Sequence, residues 1–222
     1  MKKIVLGIFG LALLAVGSVF TACTKDSTDT TPPVLTLLGD NPMRVVLNSQ
    51  SFVNPGATAT DEHDGTISNI TTTISTTNPD LNHTGSYNIT YTATDAAGNS
   101  TSAIREVIVY NEAEAMEGDY NVEDVVTKYS YVDHVTVSST INKRISFGKF
   151  AAYTNCPVYA NIIGGVIDIP TQLISNAGDP AADRSFIGDG SITSATSFLI
   201  NYKETTNGDV SQGTGTYTKI AK

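Results

Sequence analysis

The chain has 222 residues, of which 40% are hydrophobic and 16% are charged, and it contains no Trp. Its formal net charge of −9 at pH 7 excludes binding of nucleic acid through a basic surface, because phosphate groups would repel so acidic a protein. The apolar fraction excludes a globally disordered chain and is enough for one large or two small packed domains. Thr, Ser, Gly and Val are frequent, so the composition favours β structure.

The N-terminus has the pattern of a bacterial secretion signal. A basic start at Met1-Lys2-Lys3 precedes the apolar stretch 4–16, and small residues follow. A transmembrane helix of about 20 apolar residues is the alternative. However, Phe20-Thr21-Ala22-Cys23 resembles a lipobox, which implies that the peptide is cut before Cys23 and that the Cys23 thiol carries fatty chains. We therefore expect residues 1–22 to be a signal peptide and the exported protein to be anchored in the outer membrane by lipid.

Residues 23–33 are expected to be the lipidated Cys23 and a flexible tether. Residues 24–33 carry no hydrophobic side chain and end in Pro-Pro, which is typical of a solvated linker that reaches at most about 33–36 Å. Lys25-Asp26 also resembles the charged signal that sends lipoproteins of the Bacteroidetes to the outer face of the outer membrane, and a plain polar linker is the alternative. With Cys23 lipidated, Cys156 has no disulfide partner and is expected to be buried.

Short strands alternate with turns over residues 34–110, which predicts a β-sandwich. The clearest strand places every second residue on one apolar face: Tyr87, Ile89, Tyr91 and Ala93. In the last strand Ile104 and Val107 lie on opposite faces. A β-bulge near Arg105 is therefore predicted if both are to reach the core.

Several segments of this region resemble the bacterial Ig-like domain of the DUF5011 type, which occurs in surface proteins and in certain pesticidal crystal proteins. The motifs occur in the expected order, cover roughly a third of the chain and comprise VLTLLGD at 34–40, NPGATATD at 54–61, Asp64-Gly65 and GSYNITYTATDAAGN at 85–99. The resemblance implies an immunoglobulin-like fold that serves as a spacer or an adhesive module. It implies no catalysis.

The cluster at 61–64 contains residue types that bind metals. Asp61, Asp64 and Asp95 offer oxygen atoms for a weak calcium site, but the segment has no Asp-x-Asp-x-Asp-Gly loop, and calcium does not favour the nitrogen of His63. We favour turns in which these carboxylates accept hydrogen bonds from nearby backbone amides, and we expect neither a metal nor a cofactor. Tyr87 is similarly expected to hold the preceding loop as a tyrosine corner.

Residues 111–118 are polar and acidic and are expected to link this domain to a second one over residues 119–222. Eight or so short strands in about 100 residues predict a small antiparallel β-barrel or a sandwich. The segments 188–192, 198–202 and 213–215 resemble the C-terminal lipocalin-like or calycin-like domains of Bacteroidetes lipoproteins. The fold class predicted for the whole chain is all-β.

A barrel would offer its mouth and interior as a ligand site. The candidate contacts are aromatic residues of the second domain: Tyr129, Tyr131, Tyr153, Tyr159 and Tyr202, with Phe147 and Phe150. Sugars stack on aromatic faces, most readily on Trp, so a role in the core is the alternative for each of these residues.

No known catalytic motif occurs, neither Gly-x-Ser-x-Gly nor His-Glu-x-x-His, so we expect no enzyme. The predicted function is that of a lipid-anchored envelope protein. Its Ig-like spacer presents a β domain that binds a glycan or another envelope protein. A purely structural subunit with protein partners and a glycoside hydrolase are the alternatives.

Overall fold

A computed structural model describes residues 29–74, 79–125 and 128–221 as two all-β domains. The predicted signal peptide, Cys23 and the first part of the predicted tether lie outside the described residues. None of the helices formed by the described residues is long and apolar enough to span a bilayer. The short 3₁₀ helices are Glu114–Met116 and Phe150–Ala152.

The first domain is a sandwich of two sheets, with strand orders β1-β3-β4 and β2-β7-β6-β5. The strands are β1 Val34–Leu37, β2 Met43–Val46, β3 Ala57–Asp61, β4 Gly65–Ile67, β5 Ile70–Ile74, β6 Gly85–Thr94 and β7 Ser100–Tyr110. The alternating residues Ile89 and Tyr91 pack with Val107 at the centre of the core, as their spacing predicts. The Tyr87 hydroxyl donates to carbonyls of the preceding loop at 3.2 and 3.3 Å, which is the geometry of the predicted tyrosine corner.

The prediction of a β-bulge in β7 is wrong. This strand pairs with β6 in continuous register, so Ile104 points to solvent with 54% of its surface exposed, and Arg105 points into the core. The Arg105 guanidinium is fully buried and donates to the carbonyl oxygens of Leu38, Asp40 and Gly56. A charged residue therefore occupies the core position for which the sequence suggested an apolar one. Backbone oxygens accept hydrogen bonds from its two terminal nitrogens, whereas its Nε is buried and has no partner among the residues that the structure describes.

The second domain is a closed eight-stranded antiparallel barrel, which decides between the two predicted architectures. Strands that follow one another in sequence are neighbours, and β15 pairs with β8 to close the barrel. They are β8 Gly118–Asp124, β9 Ser130–Val137, β10 Arg144–Phe147, β11 Val158–Ile163, β12 Val166–Ala177, β13 Ala182–Ser194, β14 Ser197–Thr206 and β15 Asp209–Lys219.

Aromatic side chains fill most of the barrel interior. Phe198 and Tyr217 stack with their ring centroids 4.6 Å apart, and Phe147 lies 5.4 Å from Tyr217. Cys156 is fully buried in the same core, as predicted, and burial raises the pKa of its thiol to about 12. Because aromatic rings fill most of the interior, a ligand inside the barrel can be held only near one of its ends.

The tether was predicted to be solvated, but its residue Asp29 is buried against the first domain. This residue is only 8% exposed, and its side chain accepts a hydrogen bond from the backbone N–H of Thr31 at 2.9 Å. The side-chain amide of Asn99, in the turn between β6 and β7, donates to the Asp29 carbonyl at 3.2 Å. The segment just before β1 is therefore packed against the first domain.

Hydrogen bonds hold the two domains together at the linker. Asn111 is 1% exposed, and its side chain donates at 2.8 and 3.0 Å to two carbonyls of the turn 138–143 between β9 and β10. The backbone N–H of Thr84 and the side-chain oxygen of Asn48 also bond to this turn, at 2.8 and 3.0 Å. One end of the barrel thus faces the first domain, and the opposite end points away from it.

Candidate functional site

The barrel end that points away from the first domain contains a cavity of about 270 Å³. The strands β8, β10, β12 and β14 run toward this end, and the loops that follow them surround the opening. Most of the residues that line the cavity belong to β8, β9, β14 and β15 and to the turn around Phe150–Ala152. We call this cavity the barrel mouth.

Four of the five tyrosines predicted as ligand contacts line the barrel mouth: Tyr129, Tyr131, Tyr153 and Tyr202. The rings of Tyr129 and Tyr131 stack at an interplanar angle of 25° with their centroids 6.3 Å apart, and 60% of the Tyr129 surface is exposed. The other three tyrosines are half-buried. Burial raises the pKa of Tyr131 to about 12, so its hydroxyl remains a neutral hydrogen-bonding group at physiological pH.

Three other candidate contacts, Tyr159, Phe147 and Phe150, do not line the mouth, although the ring of Phe150 packs 5.1 Å from that of Tyr202. Tyr159 alternates with the buried residues Val158 and Ala160 and therefore lies on the outside of the barrel, where the Arg144 guanidinium stacks 4.2 Å from its ring centroid. Phe147 and Phe150 belong to the packed interior below the mouth. Both phenylalanines are therefore core residues, which was the alternative to a ligand contact.

Tyr217 forms the floor of the mouth, and it was not among the ligand contacts predicted from the sequence. It is 1% exposed, and burial raises its pKa well above the usual value, with further increases from the neighbouring Tyr131 and Asp133. The signal that identifies it is the alternation of β15, in which Gly213, Gly215 and Tyr217 all face the interior.

The acid Glu204 in the barrel mouth is already paired. Glu204 is 6% exposed and forms an ion pair with Arg184. It also accepts hydrogen bonds from the Tyr153 hydroxyl at 3.1 Å and from the Thr206 hydroxyl at 2.8 Å. The Arg184 guanidinium lies 3.8 Å from the centroid of the Tyr153 ring. Both oxygens of Glu204 are therefore engaged, and this acid fixes the orientation of Tyr153.

A larger groove of about 670 Å³ lies on the outer surface of β12 to β15. Its base includes a cross-strand row of polar residues, Asp168, Asp189, Asn201 and Thr214. The groove lies along the outer wall of the barrel, so it would cover a smaller part of a ligand than the barrel mouth does. We therefore consider the mouth the better candidate for a small-molecule site.

The proposed oxygen ligands of calcium are used in turns. Asp61 accepts hydrogen bonds from the backbone N–H groups of His63 and Asp64, at 2.8 and 3.1 Å, and Asp64 accepts one from Ala96 at 2.6 Å. At Asp95 partial burial opposes ionisation, but hydrogen bonds from Asn99 and its neighbours prevail and lower the pKa of the carboxyl. Among the described residues, the acidic and histidine side chains that share a small space are Asp29, Asp61 and His63, so Asp64 and Asp95 are not part of that group.

Residues 35–109 match the family described as bacterial surface protein, Ig-like domain. The first domain is thus an Ig-like module of the class found in bacterial surface proteins, which confirms the predicted domain type, whereas the DUF5011 subtype stays a prediction.

Among solved structures, the chain is similar to the lipoprotein BT2262 from Bacteroides thetaiotaomicron. The two are 17% identical, the match covers 84% of this chain and 100% of that one, and the TM-score is 0.36. A TM-score this low does not establish a shared fold for the whole chain. A comparison with the curated proteins found no match.

Proposed function

We propose that this protein is a lipid-anchored, non-catalytic binding protein of the outer membrane, and that its barrel mouth binds the terminal sugar of a glycan. The observation that carries this proposal is the tyrosine-lined cavity at the end of the barrel that points away from the first domain. The surface-protein class of the first domain supports a location in the cell envelope. The lipobox resemblance at Cys23 supports the lipid anchor.

The chemistry of the barrel mouth suits a sugar. Tyrosine rings offer flat faces to the C–H groups of a sugar ring, and their hydroxyls bond to sugar hydroxyls. The mouth presents both, with the stacked pair Tyr129 and Tyr131 at the rim and the hydroxyl of Tyr153 fixed by Glu204. Its volume of about 270 Å³ is close to the lower end of the ~300–1,000 Å³ typical of small-molecule pockets, so it accommodates the end of a glycan chain.

The positions of the titratable groups support a binding role over a hydrolytic one. General acid–base catalysis requires a side chain that is able to exchange a proton with the substrate. Of the three histidines, His63 and His83 lie in the first domain, and His134 lies on the barrel exterior, 2.6 Å from Asp119. Two acids line the mouth: Glu204 is bound to Arg184, Tyr153 and Thr206, and Asp124 at the end of β8 is also engaged in an interaction.

The order of the parts along the molecule supports a role for the first domain as a spacer. The chain enters the first domain at the tether, and the turn 138–143 holds the near end of the barrel against that domain. The mouth lies at the far end. With Cys23 in the membrane, this arrangement directs the binding site away from the lipid surface.

The experiment is a glycan array probed with the full chain purified in detergent, followed by measurement of Kd for each glycan bound. Tyr129→Ala and Tyr131→Ala are expected to weaken binding by about tenfold or more, because each removes a ring at the site. Tyr159→Ala is the matched control, since it removes a tyrosine from the outer wall, and is expected to leave Kd unchanged. An array without any bound glycan, together with specific capture of an envelope protein, would favour the protein-partner alternative.

A further inference from the structure

Three side chains that bind metals meet where the tether reaches the first domain. One donor atom from each of Asp29, Asp61 and His63 lies within 4.8 Å of the other two. His63 Nδ1 is 3.5 Å from an oxygen of Asp29. Asp29 belongs to the segment before β1, whereas Asp61 ends β3 and His63 lies in the turn that follows it.

Both carboxylates are buried, and one oxygen of Asp61 lacks a partner within the described part of the chain. Asp29 and Asp61 are each 8% exposed, and burial of a carboxylate is costly unless a cation or hydrogen bonds compensate its charge. One oxygen of Asp61 accepts the two backbone hydrogen bonds of its turn. The other, Oδ2, is buried and has no hydrogen-bond partner among the residues that the structure describes. A bound cation would compensate both charges and would supply the missing partner of this oxygen.

We propose that Asp29, Asp61 and His63 bind a divalent transition-metal ion of the zinc type. Carboxylate oxygen and imidazole nitrogen are both zinc ligands, whereas Ca²⁺ and Mg²⁺ prefer sites made entirely of oxygen. With bonds of about 2.0–2.2 Å, neighbouring ligands of a tetrahedral zinc ion lie about 3.3–3.6 Å apart. The 3.5 Å between Asp29 and His63 falls in this range. The exposed side of His63, whose side chain is 51% exposed, leaves the fourth position to water.

Such an ion would fasten the tether to the first domain. Asn99 and Thr31 already hold Asp29 at this position through hydrogen bonds, and coordination would add bonds to the turn after β3. Residues 24–33 alone would span about 33–36 Å when extended, but fixing Asp29 leaves six residue steps from Cys23, or about 20–22 Å. The metal site itself does not depend on the lipidation of Cys23. Its effect on the distance from the membrane does.

The test uses the full chain in detergent, stripped with EDTA and titrated with ZnCl₂ and separately with CaCl₂ by calorimetry. We expect one Zn²⁺ per chain, a loss of about tenfold or more in affinity for His63→Gln and for Asp29→Asn, and no comparable binding of Ca²⁺. His83→Gln is the matched control, since His83 is also exposed and also pairs with an aspartate, Asp80, at 2.8 Å, but lies outside the group. It is expected to bind Zn²⁺ as the unchanged chain does.

Hydrogen exchange at the backbone amides of residues 29–31 gives a second readout. Zn²⁺ is expected to slow their exchange in the unchanged chain and in His83→Gln, but not in His63→Gln. Because His63 is half exposed, its replacement should preserve the fold, which circular dichroism checks. The proposal would be overturned if no Zn²⁺ bound, if Ca²⁺ bound in its place, or if His63→Gln and His83→Gln lost affinity equally.

Discussion

The ring of Tyr202 lies against the α-carbon of Gly213 on the neighbouring strand. A β-carbon added at Gly213 would lie 2.2 Å from Tyr202 Cζ and 2.3 Å from its hydroxyl oxygen. On the other neighbouring strand, Tyr202 is paired with Gly188. Gly213 therefore leaves the space in which this ring lies at the barrel mouth, whereas a β-carbon at Gly188 would meet the carbonyl oxygen of Asn201 and the α-carbon of Tyr202.

Gly213→Ala is expected to displace the Tyr202 ring and to destabilise the protein by about 1–3 kcal/mol, because the new methyl group overlaps the ring. The double variant Gly213→Ala, Tyr202→Ala removes the overlap, so the two changes should cost less together than the sum of the single costs. Urea unfolding of the four proteins measures this coupling. Simple additivity would show that the two residues do not interact in this way.

Glu204→Leu is expected to cost about 3–5 kcal/mol of unfolding free energy, because it leaves the buried Arg184 guanidinium without its counter-charge. The side chains of Arg184 and Glu204 are only 11% and 7% exposed. Adding Arg184→Met should recover most of the loss, since the double variant buries no unpaired charge. Chemical denaturation provides the comparison, and a double variant less stable than Glu204→Leu would contradict this explanation.

Arg105→Met is expected to destabilise the first domain by about 3 kcal/mol or more, because three backbone carbonyls lose the donors of a buried guanidinium. Arg44→Met is the matched control. Arg44 is 46% exposed in its ion pair with Glu114, and such a pair is worth at most about 1 kcal/mol. Equal losses of thermal stability for the two variants would mean that burial of Arg105 contributes little.

The stability of the barrel should depend on pH through Asp133. Burial raises the pKa of this carboxyl above the ordinary aspartate value of 3.8, although hydrogen bonds from backbone N–H groups such as that of Lys149 oppose the shift. The folded state therefore holds this proton more tightly than the unfolded state, and Asp133 costs stability as the pH rises from about 3.8 through the raised value. Asp133→Asn removes this dependence.

The test measures the free energy of unfolding of the unchanged chain and of Asp133→Asn at a series of pH values. It shows whether the contribution of Asp133 to stability falls or rises with pH. The stability of the unchanged chain relative to the variant is expected to fall as the pH rises through this range and then to level off. A relative stability that rises with pH would contradict the raised pKa.

The parts of the structure that the sequence predicts correctly are those in which local alternation reports burial. Ile89 and Tyr91 reach the core because every second residue of a half-buried strand faces it. The same rule places Tyr159 outside the barrel, since Val158 and Ala160 flank it, although its aromatic character alone suggested a ligand contact. The residue type alone suggested all five tyrosines as ligand contacts. For those that lie on strands, the alternation of inward and outward positions shows which of them face the interior of the barrel.

The features that the sequence did not reveal depend on distant partners. Arg105 is tolerated in the core because carbonyls more than forty residues away accept its hydrogen bonds, as the separation of 49 residues from Gly56 illustrates. Asp29 is buried because Asn99, 70 residues away, holds it. Barrel closure likewise depends on the pairing of β8 with β15, and the strand pattern alone fits a sandwich equally well.

The most direct test of the central proposal is an NMR titration of the full chain, labelled at its ten tyrosines, with a glycan that binds on the array. The account predicts that the ring signals of Tyr129, Tyr131, Tyr153 and Tyr202 shift with one common Kd, while those of Tyr159 and Tyr87 stay in place. Shifts at Tyr159, or a glycan that binds without moving any of the four signals, would contradict a binding site at the barrel mouth.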